Sequence, residues 1–339
     1  MDIVSIVVPV FNVEPYIGTL IDCLIEQTYV HWEAFLVDDH STDRSPQIIK
    51  SYADERIHYV LRPDQLEKGA QSCRNYGMSL TKGKYMVIFD SDDLISPTCL
   101  EHRIQAMHNH PDADFCIFPA DTFIGDLSTH KVARYGRQRN QDPLISFLTW
   151  RYQYTVWTNI YRSDFIKQVK WDTEIKLYQD FDFNISTLLL RPTFYFIEGE
   201  PDYFYRVGQQ GETICSSGVV KGYKFLSTLK LLEKTHHQLK LFDQPDILHT
   251  YFYVFHKQYF LRLIVPGDRE NLRTYVRFIH RHYSGRHYYS IVFVAWLTFI
   301  IPSQRWRNLC VKLGRRVCYA KNFYKEVIKK DDEAILDTL

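Results

Sequence analysis

A cluster of acidic side chains follows an apolar segment in the first third of the chain. The segment Lys84-Tyr85-Met86-Val87-Ile88-Phe89 leads directly into Asp90-Ser91-Asp92-Asp93. The apolar run predicts a buried strand, which delivers the carboxylates to its own C-terminal end. Carboxylates this close repel one another unless a cation lies among them, and a divalent metal ion is well suited to that place. A solvated acidic turn is the alternative, because Asp and Ser favour turns.

A second acidic pair occupies the same kind of position. The strand predicted from Trp32 to Val37 ends in Asp38-Asp39. In an open parallel sheet, ligands bind outside the carboxyl ends of the strands, where both acidic groups are expected. This coincidence favours a ligand site over a solvated turn.

The segments that position these carboxylates alternate between strand and helix patterns. Strands are predicted at 3–10, 32–37, 56–61, 85–89 and 115–118. Helices are predicted to begin near Glu14-Pro15, to follow Asp43 with Pro46 in the first turn, to lie near Gln71–Leu80, and to start at Ser96-Pro97 with Ser96 as the cap. Alternation of this kind predicts an α/β fold in which a mainly parallel sheet carries helices on both faces.

The pattern changes after residue 120. Aromatic, mixed segments predict a helix around Asp180–Leu190 and a strand at 193–197, and the signals become helical from about Val219 onward. We therefore predict a first domain at 1–217, with a nucleotide-binding half at 1–120 and an acceptor half at 121–217. A helical C-terminal region is predicted at 218–339.

Three common phosphate or metal motifs do not fit. A calcium loop that starts at Asp90 requires a ligand at Leu94 and glycine at Ile95. A P-loop requires four residues between its glycines, whereas five separate Gly77 from Gly83, and no G-x-G-x-x-G follows the first strand. Asp90 and Asp92 can instead hold one Mg²⁺ or Mn²⁺ together with the diphosphate of a nucleotide, which indicates metal-assisted group transfer.

Four segments, in this order, resemble the family 2 inverting glycosyltransferases of the GT-A fold. They are Val4–Glu14, Val37–Asp43, Arg74–Gly77 and Asp90–Asp93. The resemblance is strong over residues 3–120 and looser over 150–217. It implies that the chain is an enzyme and that it uses a nucleotide diphosphate sugar, with a UDP-sugar expected.

The resemblance also implies roles for individual residues. Asp39 corresponds to the carboxylate that holds a uracil-type base, and Arg74 to a basic residue near the phosphates. Asp92 corresponds to the principal metal ligand, with Asp90 and Asp93 beside it. Nucleotide contacts are expected from Pro9, Val10, Phe11, Asn12, Glu14, Asp38, Asp39, Arg74, Asp90 and Ser91.

The chain departs from the family pattern in a few places. His40 stands where glycine is commoner and Cys73 where alanine is usual, and Lys68-Gly69-Ala70-Gln71-Ser72 replaces the frequent Asn-x-Gly-x-Ser segment. The segment Tyr178–Asp182 resembles the family's Glu-Asp segment, with Gln179 in place of the Glu.

The resemblance places the catalytic base in the segment Tyr178–Asp182. A single displacement that inverts the anomeric carbon requires a carboxylate near the acceptor hydroxyl. We predict Asp180 as this base and Asp182 as the alternative. An Asp in a first helical turn often serves only as a cap, so a structural role for Asp180 remains open.

Residues on the acceptor and diphosphate side come from the same resemblance. Trp157 is expected to stack on a sugar, although an ordinary core role is the alternative. Tyr205 and Arg206 belong to a segment that resembles the family's mobile closing segment, and Arg206 is the candidate phosphate contact.

Charge is distributed unevenly along the chain. Residues 271–325 carry eleven Lys or Arg and no Asp or Glu, whereas the whole chain has a net charge of +1. The apolar segment 291–301 is too short to span a bilayer. Its aromatic and basic neighbours favour peripheral binding to an anionic cytoplasmic leaflet, with a buried core helix as the alternative. Nucleic-acid binding is not expected, because no recognised module accompanies the charge.

The remaining sequence features bear on location and on competing functions. Seven scattered Cys residues and the absence of a secretory pattern at Met1–Ser5 predict a cytoplasmic protein. The basic segment 271–325 predicts its association with the inner face of the cell membrane. A saccharide or lipid-linked acceptor in polysaccharide or lipopolysaccharide synthesis is expected. A nucleotidyltransferase and a non-catalytic sugar-nucleotide scaffold are the alternatives.

Overall fold

A seven-stranded, mainly parallel sheet forms the centre of the fold. The computed structural model describes residues 1–139, 142–148, 152–207, 223–240, 273–274 and 276–277. Packing divides the chain into two units. The first consists of Met1–Arg139, Tyr152–Glu174 and Tyr178–Gly211 and contains every candidate site residue. The predicted division between residues 217 and 218 stays a prediction.

The first half of the chain alternates strand and helix as expected. Its elements are β1 (Val4–Val10), α1 (Ile17–Ile25), β2 (Trp32–Asp38), α2 (Ser45–Ser51), β3 (Ile57–Leu61), α3 (Ala70–Leu80), β4 (Tyr85–Ile88), β5 (Leu94–Ile95), α4 (Cys99–Asn109) and β6 (Phe115–Ile117). All seven β1 residues are buried. This is expected of a parallel strand that is covered on both faces.

The second half of the first unit completes the central sheet and adds another one. Its elements are β7 (Ala120–Ile124), β8 (Asp126–Tyr135), β9 (Asn159–Arg162), α6 (Ser163–Ile166), α7 (Gln179–Leu189), β10 (Phe194–Phe196) and β11 (Tyr203–Arg206). The central sheet has the order β10-β6-β9-β4-β1-β2-β3. Strand β9 is antiparallel to both of its neighbours, and the other pairs are parallel. The α/β class and the mixed, mainly parallel sheet are confirmed.

A second sheet has the order β5-β11-β7-β8, and the sequence patterns did not predict it. Strand β5 begins one residue after the acidic cluster and pairs antiparallel with β11. Strand β11 also pairs in parallel with β7. The acidic cluster therefore lies between the end of β4 in one sheet and the start of β5 in the other.

Helix α4 begins later than predicted. The sequence placed its start at Ser96-Pro97, whereas the first helical residue is Cys99 and the cap position is Thr98. The Ser96 backbone N–H donates to the Asp202 carbonyl at 2.9 Å. That bond continues the pairing of β5 with β11, so Ser96 closes the short strand and does not cap the helix.

A buried ion pair ties α4 to the segment that precedes β11. The Arg103 Nε and Nη2 atoms each donate to a different Asp202 oxygen at 2.8 Å. Arg103 Nη1 donates to the Trp157 and Asn159 carbonyls. Both charged side chains are almost completely buried. A fork of this kind fixes geometry, because a buried guanidinium must satisfy all of its donors.

The second unit is described only in part. It contains α5 (Pro143–Leu148) and α8 (Tyr223–Lys240). Leu229, Leu231 and Leu232 of α8 are buried, whereas Leu226 is exposed. Among the helices that the structure describes, none combines the length and apolar character needed to cross a bilayer. The segment 291–301 and nearly all of 271–325 lie outside the described residues.

Helix α3 packs closely on the central sheet at Gly77. A methyl group on Gly77 would lie 2.6 Å from Val7 Cγ1 and 3.1 Å from Val37 Cγ2. Valine has little rotamer freedom, so neither neighbour can move away easily. We expect Gly77→Ala to lower the free energy of unfolding by about 1–3 kcal/mol, measured by urea denaturation.

Gly18 in α1 is the matched control. A methyl group there would meet Tyr52 Oη at 3.4 Å and Ile48 Cγ2 at 3.7 Å, which are ordinary contacts. Gly18→Ala should leave stability unchanged or raise it by up to about 1 kcal/mol, because alanine favours the helix. Equal effects of the two substitutions would contradict the close packing at Gly77.

Candidate active site

The candidate site lies at the carboxyl edge of the central sheet, where two loops are joined by hydrogen bonds. The Asn12 backbone N–H donates to Ser41 Oγ at 3.0 Å, and the Thr42 backbone N–H donates to Asn12 Oδ1 at 2.8 Å. The Glu14 and Arg44 backbones make a similar exchange with the side chains of Asp43 and Glu14. These bonds fix the loop after β1 against the loop after β2.

Left-handed backbone occurs in both loops. Asn12 has φ of 51° and His40 has φ of 60°. Non-glycine residues rarely adopt this region, and Asn is among the more tolerant ones. The left-handed conformation explains why glycine suits position 40 in the family pattern. His40 Nε2 lies 2.9 Å from the Arg62 carbonyl oxygen, which supports the strained turn.

Asp38 and Asp39 end β2 and have different partners. Asp38 accepts hydrogen bonds from the Ser41 N–H, the Ser41 hydroxyl and the Tyr59 hydroxyl, so both of its oxygens are occupied. Asp39 forms a buried ion pair with Arg62 through Oδ1. Asp38 therefore stabilises the turn with both of its oxygens. Asp39 binds one side chain, that of Arg62, through one oxygen.

The predicted residues of β1 and its loop divide into two groups. Pro9 and Val10 are buried in the strand, so they offer a ligand only backbone atoms. Phe11 is 43% exposed, and Lys68 Nζ lies 4.1 Å from its ring centroid. Phe11 is thus an accessible aromatic face at the mouth of the site.

Arg74 is the central cation of the site. Its Nη2 donates to Asp90 Oδ1 at 2.7 Å, and its Nη1 donates to Gln179 Oε1 at 2.8 Å. Nη1 also lies 3.9 Å from Asp180 Oδ1. The guanidinium carbon stands 4.4 Å from the ring centroid of Trp171, and Arg74 is buried. One buried guanidinium thus links the acidic cluster to the first turn of α7.

Asp180 has the surroundings that a general base requires. Its Oδ1 is buried and has no hydrogen-bond partner, whereas the side chain as a whole is 38% exposed. Burial raises the pKa of the Asp180 carboxyl to about 6, Arg74 acts in the opposite direction, and Asp90 raises it. A carboxylate with a pKa near 6 is ionised at neutral pH and still basic enough to accept a proton. Asp182 is buried, which favours Asp180 over it.

Asp93 connects the acidic cluster to β11. Its Oδ2 accepts the Tyr203 hydroxyl at 2.6 Å, and its Oδ1 accepts the Arg206 backbone N–H at 2.7 Å. Burial, with the charges of Asp92 and Asp90, raises the pKa of Asp93 well above its ordinary value. Both Asp93 oxygens are therefore directed at the second sheet, while Asp90 and Asp92 are its two partly exposed neighbours.

Arg206 lies directly against the acidic cluster. Its Nε donates to the Asp92 carbonyl at 2.7 Å, and Nη1 donates to the Gly125 carbonyl at 3.1 Å. The guanidinium also stands 4.8 Å from the ring centroid of Tyr16 in the loop after β1. The structure thus places Arg206 beside the predicted metal ligands, as a phosphate contact requires.

Trp157 is buried between tyrosines. Its ring stacks on Tyr203 at a centroid distance of 4.7 Å and on Tyr205 at 5.5 Å, and Tyr135 meets its edge. This arrangement is the packing role that was the alternative to sugar stacking. Ser91, between the two predicted ligands, is buried as well.

No ready-made metal cage is present in the described part of the chain. Within it, no group of three or more His, Cys, Asp or Glu side chains is arranged to hold an ion. Asp90 and Asp92 nevertheless supply hard oxygen ligands, and the Asp90 side chain is 24% exposed. Mg²⁺ is commonly bound by one or two carboxylates that are completed by substrate phosphates and water. The residues fit that mode of binding.

Trp171 was not found from the sequence, and Gln179 was noted there only as a departure from the family pattern. Trp171 supports Arg74 on one face and stacks on Phe183 with its other face, at 4.1 Å. Gln179 accepts a hydrogen bond from Arg74. Trp171 is about a hundred positions from Arg74 in the sequence, and no local pattern signals such a contact.

Comparison with known proteins agrees with this geometry. Residues 5–172 match the family described as Glycosyl transferase family 2, and the chain belongs to that family. EpsJ of Bacillus subtilis (strain 168), an uncharacterized glycosyltransferase, is 31% identical over 195 residues, which cover 54% of this chain and 55% of EpsJ. The minor teichoic acid biosynthesis protein GgaB of the same organism is 25% identical over 213 residues, which cover 62% of this chain and 23% of GgaB.

A solved structure shares the fold. The chain is similar to residues 1–349 of S. aureus TarS in complex with UDP-GlcNAc, with a TM-score of 0.64 and 18% identity over 94% of this chain and 90% of that one. At this identity the likeness shows the fold alone. The similarity confirms the GT-A-type architecture that the sequence motifs predicted.

The raised pKa of Asp180 leads us to expect an effect on protein stability that is separate from catalysis. The carboxyl ionises near pH 4 in an unfolded chain and near pH 6 in the folded protein. Between these pH values the folded state binds more protons, so the wild type loses stability relative to an Asp180→Asn variant as pH rises. We expect the variant to have the higher Tm at pH 7, with the difference disappearing below about pH 4. A Tm difference that does not change across thermal scans from pH 4 to 8 would contradict the raised pKa of the Asp180 carboxyl.

Proposed function

We propose that the chain transfers a sugar from a nucleotide diphosphate donor, a UDP-sugar, to a hydroxyl group of a saccharide acceptor, with inversion at the anomeric carbon and with a divalent metal ion. Membership of glycosyl transferase family 2 supports the reaction class. The shared fold with a protein that was solved with UDP-GlcNAc supports this class of donor.

The observation that carries this proposal is the position of Arg74 between two carboxylates. On one side it binds Asp90 of the acidic cluster, and on the other it approaches Asp180 at the start of α7. A displacement reaction requires a cationic region for the leaving diphosphate and a base for the incoming hydroxyl, and these must lie close together. The guanidinium of Arg74 is close to one carboxylate proposed for each of these two roles, Asp90 and Asp180.

Asp90 and Asp92 would hold the metal ion, Mn²⁺ or Mg²⁺. When bound, such an ion neutralises negative charge on a leaving diphosphate. Arg74 and Arg206 lie beside these carboxylates and add positive charge where the phosphates are expected. Asp39, which is paired with Arg62, and the exposed ring of Phe11 would contact the base of the nucleotide.

Asp180 would accept the proton of the acceptor hydroxyl. The oxygen of that hydroxyl forms the new bond to the anomeric carbon while the bond from that carbon to the diphosphate oxygen breaks. The proton moves to the Asp180 carboxylate, and the nucleoside diphosphate leaves with the electron pair. The raised pKa of Asp180 suits this transfer at neutral pH.

The acceptor and the location are further parts of the proposal. GgaB is named for teichoic acid biosynthesis, which supports a surface polysaccharide as the product. The basic residues of 271–325 support binding to the inner face of the cell membrane, where a lipid-linked acceptor would be available. A nucleotidyltransferase and a non-catalytic scaffold are less well supported, because the resemblance and the family match point to sugar transfer and both carboxylate groups are in place.

Titration with UDP in the presence and absence of Mn²⁺ tests the donor site. We expect metal-dependent binding, and Asp92→Ala should weaken it at least tenfold by removing the principal metal ligand. Thermal stabilisation by a panel of nucleotide sugars identifies the donor. Metal-independent binding of equal strength in the wild type and the variant would contradict the proposed metal site.

Two further variants separate binding from chemistry. Asp180→Asn should keep UDP affinity within about threefold and lose transfer by at least about a hundredfold. Asp182→Asn is the matched variant two residues away, and it should retain most of its transfer activity. The opposite pattern would assign the base to Asp182, and full activity in both variants would place the base elsewhere.

A further inference from the structure

Gln179 occupies a position at which the resemblance to family 2 enzymes leads us to expect Glu. It is the first residue of α7 and follows Tyr178, whose φ is 62°. This left-handed residue turns the chain so that the first helical side chain faces Arg74. Gln179 Oε1 accepts the Arg74 Nη1 hydrogen at 2.8 Å. The amide is therefore part of the same cluster as Asp90 and Asp180.

The contacts of Arg74 leave little freedom for its guanidinium. Trp171 covers one face at 4.4 Å, and Phe183 backs that ring at 4.1 Å. Asp90 holds Nη2, and Gln179 holds Nη1. The side chain is buried against Trp171, and the two hydrogen bonds set the orientation of the guanidinium within its plane.

Because Gln179 is neutral, it does not compete with Asp90 and Asp180 for the positive charge of Arg74. The amide oxygen accepts a hydrogen bond without adding a negative charge, so Asp90 and Asp180 are the two carboxylates close to Arg74 in the described structure. A glutamate at this position would compete for the guanidinium, because Arg prefers to bind a carboxylate through two parallel hydrogen bonds. Arg74 would then turn away from Asp90.

We propose that Gln179 is a positioning residue. Its neutral amide holds Arg74 so that one guanidinium stays close both to Asp90, at the sugar-nucleotide site, and to the proposed base Asp180. This inference rests on the proposed function. Gln179 acts through Arg74 and needs no contact with either substrate. Its substitution should therefore change donor binding and turnover together, and only when Arg74 is present.

A double-mutant cycle tests this coupling. Gln179→Glu and Gln179→Leu are made in the wild type and in an Arg74→Met background, and the UDP affinity with Mn²⁺ and kcat are measured for each. We expect each single substitution at position 179 to lower kcat about tenfold and donor affinity severalfold. In the Arg74→Met background the same substitutions should have less than about a twofold further effect.

Gln105→Glu is the matched control for added charge. Gln105 is exposed on α4 and contacts Asn109, a residue outside the site. This variant should keep wild-type affinity and kcat. Gln179→Glu is nearly isosteric, so it keeps the test interpretable if the Leu variant is poorly folded. Effects of equal size at position 179 in the wild type and in the Arg74→Met background would overturn the inference. A Gln179→Glu variant that behaves like Gln105→Glu would overturn it as well.

A spectroscopic measurement separates this inference from the proposed function. The guanidinium resonances of ¹⁵N-arginine-labelled protein report the hydrogen bonds of Arg74 and can be assigned with the Arg74→Met variant. Gln179→Glu should shift the Arg74 signal, whereas Gln105→Glu should not. An unchanged Arg74 signal overturns the inference whether or not transfer is observed. A shifted signal in a protein that binds no UDP would instead support the Arg74 contact and contradict the proposed function.

Discussion

The site depends on the burial of one guanidinium. Arg74 is removed from water, and a charged group in that position must be compensated by hydrogen bonds and opposite charges. Its partners come from the loop after β4 and from the start of α7, while the ring of Trp171 covers one of its faces. The fold must therefore bring these distant segments to α3. Their convergence places a carboxylate suited to metal binding and a carboxylate suited to proton transfer within reach of the same cation.

The second sheet provides the support on which that arrangement rests. The Tyr203 hydroxyl donates to Asp93 and accepts the Asp90 backbone N–H, so a side chain of β11 holds the backbone of the acidic cluster. The Arg103–Asp202 ion pair in turn fixes the residue before β11. Trp157 fills the space between the tyrosines of β11. Buried contacts within the protein thus hold the carboxylates at the edge of the central sheet in place before any substrate binds.

The sequence predicted what local patterns can encode. Strands β1, β2 and β4 are largely apolar runs, and β2 and β4 lead into carboxylates, so both the strands and the acidic edge could be predicted from the sequence. Strands β5, β9 and β11 were missed because they are short and pair with segments far away in the chain. Strand β8 is longer, but it is mostly polar and pairs with β7 in a shifted register. The start of α4 was misplaced because a backbone bond from Ser96 to Asp202 overrides the local capping signal. The Gln179 contact could not be predicted, since a helix-terminal amide shows no sign of its partner about a hundred residues earlier.

The central claim, that Arg74 serves the donor site and the base together, is tested most directly by Arg74→Lys. Lysine keeps the charge but loses the planar fork. Arg56→Lys is the matched control, because Arg56 also pairs with a carboxylate and covers a tryptophan, in a position away from the site. We predict that Arg74→Lys weakens Mn²⁺-dependent UDP binding and lowers kcat, each at least about tenfold, while Arg56→Lys changes neither. Normal turnover at saturating donor in Arg74→Lys would contradict the claim.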